Sequence, residues 1–148
     1  RPSRAEPLWQ LARIHRQERN EPRIAYLYAK TACEIVYPEG DILFISNEIY
    51  QWQALDEFAA AAFYAHDFLR GYNACQALLG NEHVPASEKE RLTKNLQVYQ
   101  AKLQELQQQQ MQHQQAEAQM KEEQKQKLIK QRKSMENKKN KKRKKSKK

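Results

Sequence analysis

The residue types able to do chemistry are few in this chain, and their spacing suits little of it. Four histidines, His15, His66, His83 and His113, lie far apart and share no metal-ligand spacing. His15 falls on a packing face, His66 at a turn, His83 in a loop and His113 in a glutamine tract. Asp56 and Glu57 are adjacent, so on a helix they point to different sides. As an acid–base pair they are weak, and a helix-surface or loop-capping role is expected. Cys33 and Cys75 each sit among apolar residues at helical spacing, which predicts buried, reduced thiols, and no Cys-x-x-Cys pair suggests redox or metal work. There is no glycine-rich phosphate loop and no Gly-x-Ser-x-Gly element. The sequence thus offers no catalytic residue, no cofactor site and no metal site.

Recognition is better supplied. Tyr50, Trp52, Phe63, Tyr64, Phe68 and Tyr72 form an aromatic-rich region. Packing between helices accounts for most of it. A groove for a protein, a peptide or a glycan acceptor is the functional alternative. Tyr50 and Trp52 are its best candidates, because they precede the core stripe and keep some exposure, with Tyr64 and Tyr72 completing the candidate surface.

The second concentration of chemistry is charge. The net charge is +9, yet Lys121–Lys148 alone carries fifteen Lys or Arg against Glu122, Glu123 and Glu136, a balance of +12 that leaves −3 for the first 120 residues. Basicity therefore speaks only for the tail. Its densest part is Lys138, Lys139, Lys141, Lys142, Arg143, Lys144, Lys145, Lys147 and Lys148. Such a run suits unspecific contact with nucleic acid, acidic protein or an anionic membrane surface, or a nuclear address. A solvated, disordered tail with no specific partner is the plainer alternative. No apolar run approaches the roughly 20 residues of a membrane span, and no signal-peptide pattern opens the chain. The expected compartment is the cytoplasm, with the nucleus as the alternative that the Lys/Arg run allows. The first residue is Arg1 rather than Met, which suggests a processed product or part of something longer.

The elements that would position these groups are helical. Leu8, Leu11, Ala12 and His15 follow the i, i+3, i+4, i+7 spacing of one helix face, with Pro7 in the first turn. A polar run from Arg16 to Glu21 predicts a turn, and Pro22 can open the next helix, with Ala25, Ala29 and Ala32 on one stripe beside Ile24, Tyr28 and Ile35. Pro38-Glu39-Gly40-Asp41 is a stop signal. The apolar run Ile42–Ile45 resembles a strand but has no second strand to pair with, so an extended segment packed on helices is expected. Helical spacing resumes from Tyr50 with Leu55, Phe58, Ala59 and Ala62, breaks at His66-Asp67, and returns with Gly71, Cys75, Leu78 and Leu79 before Gly80-Asn81. Ser87 and Glu90 have the spacing of a capping box ahead of Leu92, Leu96, Tyr99, Leu103 and Leu106. Gln110 and His113 then interrupt the heptad frame, which argues against a long coiled coil.

The fold class expected is all-α: two tetratricopeptide-like antiparallel helix pairs, then a long polar C-terminal helix and a basic, disordered tail. The divisions are a helical-repeat domain over 1–106, a Gln-rich helix or linker over 107–126 and the Lys-rich tail over 127–148. Within the first, the pairs cover about 5–36 and 50–79, with the capped helix from about 88. The two pairs correspond to each other at an offset of 47 residues on their first helices and 46 on their second. That exceeds the usual repeat of about 34, and the excess lies in residues 37–50. Small residues let the two helices of a pair approach closely, but a lone pair cannot bury its apolar face and needs neighbours.

Arg4-Ala5-Glu6-Pro7-Leu8-Trp9, Ala25-Tyr26-Leu27-Tyr28-Ala29, Tyr37-Pro38, Asp41-Ile42-Leu43-Phe44 and Tyr50 to Glu57 come in an order and spacing that resemble a known family. With Gly71, Ala74-Cys75, Leu78-Leu79, Pro85, Glu88, Arg91 and Asn95-Leu96, residues 1–99 resemble the last part of tetratricopeptide-containing family 2 glycosyltransferases. The resemblance implies helical repeats following a nucleotide-sugar-dependent transferase domain. It carries over no catalytic residue, because this chain has no Asp-x-Asp element and no room for a parallel α/β unit. The leading expectation is a non-catalytic helical-repeat interaction module. The alternatives are part of a complete transferase whose catalytic domain lies upstream, and unspecific nucleic-acid or anionic-surface binding through the tail.

Overall fold

The computed structural model describes the backbone of residues 4–40 and 45–145, and the side chains up to Lys133 together with Met135. The described residues are all-α: five α-helices and two π-helical turns, with no strand. They divide into two compact units, Arg1–Gln104 and Glu105–Lys148.

In the first unit, α1 (Ala5–Arg13) begins after an extended Arg4 and buries Ala5 and Ala12. It runs into a π-helical turn at Ile14–Glu18, where one extra residue per turn reaims the chain. Asn20 then takes a left-handed φ of 55°, which asparagine tolerates better than most residues. The turn closes through the Glu21 N–H on the His15 carbonyl at 2.7 Å and a 2.7 Å bond between His15 Nδ1 and Glu21 Oε2. His15 is buried and stacks on Tyr28, so it is a packed turn residue. Leu11, expected on the same face, is instead exposed. Ala12, one residue on and about 100° around the helix, is the buried residue at this point of α1.

Pro22 opens α2 (Pro22–Glu34), and Ala25, Ala29 and Ala32 form its buried stripe, as the spacing predicts. The helix stops at Glu34, because Ile35 is already extended with ψ 120°. Cys33 is exposed, which corrects the expectation of a buried thiol. One residue beyond Ala32, it is rotated about 100° away from the buried stripe. The run Ile42–Phe44 falls outside the described residues, and Ile45 beside it is half-buried.

A second π-helical turn, Ile49–Gln53, leads into α3 (Ala54–Ala62), which buries Ala54, Phe58, Ala59, Ala61 and Ala62. His66 takes a left-handed φ of 60°, and α4 (Phe68–Leu79) starts two residues later, just as α2 starts two residues after Asn20. Gly71, Cys75 and Leu78 are buried at the positions matching Ala25, Ala29 and Ala32. Burial pushes the Cys75 thiol up to about 11, leaving it an inert core group. The helix ends at Leu79 as expected, but Gly80 stays right-handed at φ −83°, so the left-handed freedom of glycine is not what stops it.

The last helix, α5 (Ala86–Lys145), starts one residue before Ser87. Ser87 therefore lies inside the first turn, and Glu90 pairs with Lys94 at 2.7 Å, so the capping box is not formed. Pro85, whose carbonyl accepts from the Glu88 N–H at 3.0 Å, sets the start instead. Leu92 and Tyr99 are the buried anchors of this helix. The Tyr99 hydroxyl donates to the Ala59 carbonyl at 2.5 Å, and its ring meets Phe63 edge-on at 5.7 Å. Gly71 leaves the space for that ring, since a Cβ there would overlap it.

The described residues of the second unit, 105–145, are the continuation of α5. Residues 107–133 are exposed throughout, and the backbone stays helical to Lys145, into the stretch that composition reads as a disordered tail. Gln, Lys, Glu and Ala are good helix formers, which favours helix where packing is absent.

Candidate interaction grooves

Two arginines, Arg16 and Arg91, hold ion pairs between elements of the first unit. Arg16, on the first π-helical turn, donates to Glu57 of α3 through Nε at 2.7 Å and Nη2 at 2.6 Å. Arg91 of α5 donates through Nη2 to both Asp56 oxygens at 3.0 Å and through Nε to Glu88 at 2.9 Å. The Arg16–Glu57 contact is planar and two-pronged, the geometry at which arginine outperforms lysine, whereas Arg91 divides its nitrogens between two carboxylates. Asp56 and Glu57 were expected at the surface or capping a loop. Glu57 is instead only 4% exposed and Asp56 half-buried. Adjacency sends them to different partners, as predicted, but both partners lie inward. Burial raises the Asp56 carboxyl above its ordinary value, although Arg91 pulls it back. The hydrogen bonds that Arg16 donates to Glu57 raise its guanidinium despite its loss of water.

A groove of about 510 Å³ is lined by Trp9, Arg13, Gln17, Trp52 and Gln53 together with these ion pairs. The Arg13 guanidinium stacks over Trp9, 4.9 Å from the ring centre. A second groove of about 460 Å³ is lined by Asn20, Pro22, Phe63, Tyr64, Asn95 and Val98. Arg16 and Arg91 border both. Every carboxylate lining the Trp9–Trp52 groove has an arginine, Arg13 covers one face of Trp9 and the Gln53 amide donates to Glu48 at 3.0 Å, which leaves Trp52 and Gln17 best placed to meet a partner.

The structure distributes the candidate aromatics unevenly. Trp52 lines the first groove and Tyr64, 54% exposed, lines the second. Tyr50 lines neither. Its hydroxyl donates to Glu6 at 2.8 Å and accepts from the Ala5 N–H at 3.1 Å, and Tyr37 packs edge-on against its ring. It clamps the start of α1, and burial raises its hydroxyl pKa. Tyr72 also lines neither groove and accepts from Gln76 within α4 at 3.1 Å. Sequence reasoning missed Trp9, Arg16 and Arg91. Apart from Glu88, three residues before Arg91, the partners of these arginines lie 41 and 35 residues away, too far for a local signal.

Lys138, Lys139 and Lys141–Lys145 lie on helical backbone with side chains outside the described residues, and Lys147 and Lys148 lie outside them altogether. Among the described residues no group of three or more His, Cys, Asp or Glu could hold a metal ion, and no helix is long and apolar enough to cross a membrane. No protein-family model, curated protein or solved structure matches this chain.

Proposed function

We propose that the first unit is a non-catalytic helical-repeat interaction module that holds a protein or peptide partner between Trp9 and Trp52. The observation that carries this reading is the groove itself: two tryptophans in a lining whose carboxylates are all paired with arginine. Large, stiff aromatic faces give contact area at little entropic cost, and a preformed lining adds little ordering cost on binding. The matching turns at Asn20 and His66 and the matching stripes of α2 and α4 support the repeat reading. So does the resemblance of residues 1–99 to the end of glycosyltransferase-associated tetratricopeptide regions. The mechanism is steric and needs no bond-breaking residue.

The test is selection from a displayed library of random peptides against the whole chain, repeated with Trp52→Ala and with Tyr72→Ala. The reading predicts enriched peptides that lose at least tenfold in affinity for Trp52→Ala and keep it for Tyr72→Ala. Enrichment that survives Trp52→Ala, or none at all, would contradict it.

A further inference from the structure

The stretch Lys121–Lys133 of α5 is helical, exposed at every residue and basic, with six cations against Glu122 and Glu123. At 3.6 residues per turn, Lys121, Lys125 and Arg132 fall on one stripe and Lys130 on the opposite side. Lys127 and Lys133 stand about a third of a turn to either side. The cations therefore ring the helix. The following fifteen residues add nine more Lys or Arg against Glu136 alone.

A ring of charge discriminates between polyanions. A bilayer reaches one side of a helix and needs an apolar face there. Here the apolar residues are Leu128, Ile129 and Met135, and no aromatic follows Tyr99. The major groove of B-form DNA carries phosphates along both edges and is about 12 Å wide, against about 10–12 Å for an α-helix with side chains. The major groove of A-form RNA is too deep and narrow to admit one.

We propose that the α5 segment from Lys121 to Lys133 binds duplex DNA by lying in the major groove, its cations contacting phosphates on both edges. No folded element fixes its register on the bases, so binding is independent of sequence. This inference does not rest on the Trp9–Trp52 groove, and either can fail without the other.

The test titrates the whole chain into labelled 20-base-pair duplexes of unrelated sequence between 50 and 200 mM salt, reading fluorescence anisotropy. The affinities for the different duplexes should agree within about threefold and fall log-linearly with salt, by about 0.9 in slope per phosphate contacted. Changing Lys121, Lys125, Lys127, Lys130, Arg132 and Lys133 to Gln should weaken binding more than tenfold and flatten the slope by up to about five. Gln126→Pro with Gln131→Pro keeps every charge but breaks the helix, and should also cost more than tenfold. Unchanged affinity in the proline variant would overturn the proposal in favour of a flexible polycation. Equal or tighter binding to duplex RNA, or to phosphatidylserine vesicles, would overturn it too.

Discussion

The two units are both helical, but for different reasons. In residues 4–79 the helices are short, and each buries a stripe of small residues against a neighbour, Ala12, Ala25, Ala29, Ala59 and Cys75 among them, while the first part of α5 joins them through Leu92 and Tyr99. Helices of 9 to 13 residues would be marginal alone, so packing holds them. In residues 107–133 nothing is buried, and the helix rests on side chains that favour it intrinsically. The contrast teaches that helix content alone says little about what a mutation will do. A substitution in the first unit acts through contacts, whereas one in the second acts through propensity and charge.

The largest effect should come from Arg16→Met, which leaves the Glu57 carboxylate buried without its partner. About 3 kcal/mol of stability should be lost in urea unfolding. Arg16→Met combined with Glu57→Leu should recover most of it, because the desolvated charge is gone. Additive losses in the double variant would show that the pair itself is not what those residues contribute.

Next is Gly71→Ala, which drives a methyl group into the Tyr99 ring and should cost about 1–3 kcal/mol. Pairing it with Tyr99→Leu should relieve the overlap, so the two costs should be less than additive. Tyr99→Phe alone removes the bond to the Ala59 carbonyl, a loss of about 1 kcal/mol.

A smaller effect concerns pH. Burial by itself would raise the Glu6 carboxyl. Its backbone hydrogen bond, the Tyr50 hydroxyl, the Ser46 N–H and Arg4 outweigh that and hold it below 4.5. A depressed carboxyl stabilises the fold above its unfolded value and loses that contribution as pH falls through the folded one. Glu6→Gln should therefore lower stability at pH 7 and flatten the decline below about pH 4.5, as followed by thermal melts across pH. An unchanged acid limb would remove Glu6 from the account.

The periodicity that marks α2, α4 and the packed part of α5 was legible because alanine stripes and Leu92–Tyr99 spacing are local signals. Pro22 and the break at His66-Asp67 were legible for the same reason. The two π-helical turns were not, since a single extra residue leaves the apolar pattern nearly intact. The capping box failed because Pro85 starts α5 earlier than Ser87. Half of the candidate site was visible as aromatic residues, of which Trp52 and Tyr64 reach a groove while Tyr50 and Tyr72 are spent on packing and on a bond within one helix. The ion pairs were invisible, since a separation of 41 residues has no signature in one chain.

The smallest effect expected is that of Gln115→Pro. It should reduce helical circular dichroism while leaving the cooperative unfolding of residues 4–104 within about 0.5 kcal/mol of the parent. A large loss would mean that the first unit depends on the helix of the second.

Native-state hydrogen exchange across the whole chain tests the central contrast most directly. Amides of α3 and α4 should exchange only through global unfolding, whereas those of residues 107–133 should exchange with protection typical of an isolated helix. Equal protection in both regions would contradict the account, since it would place buried packing where none has been assigned.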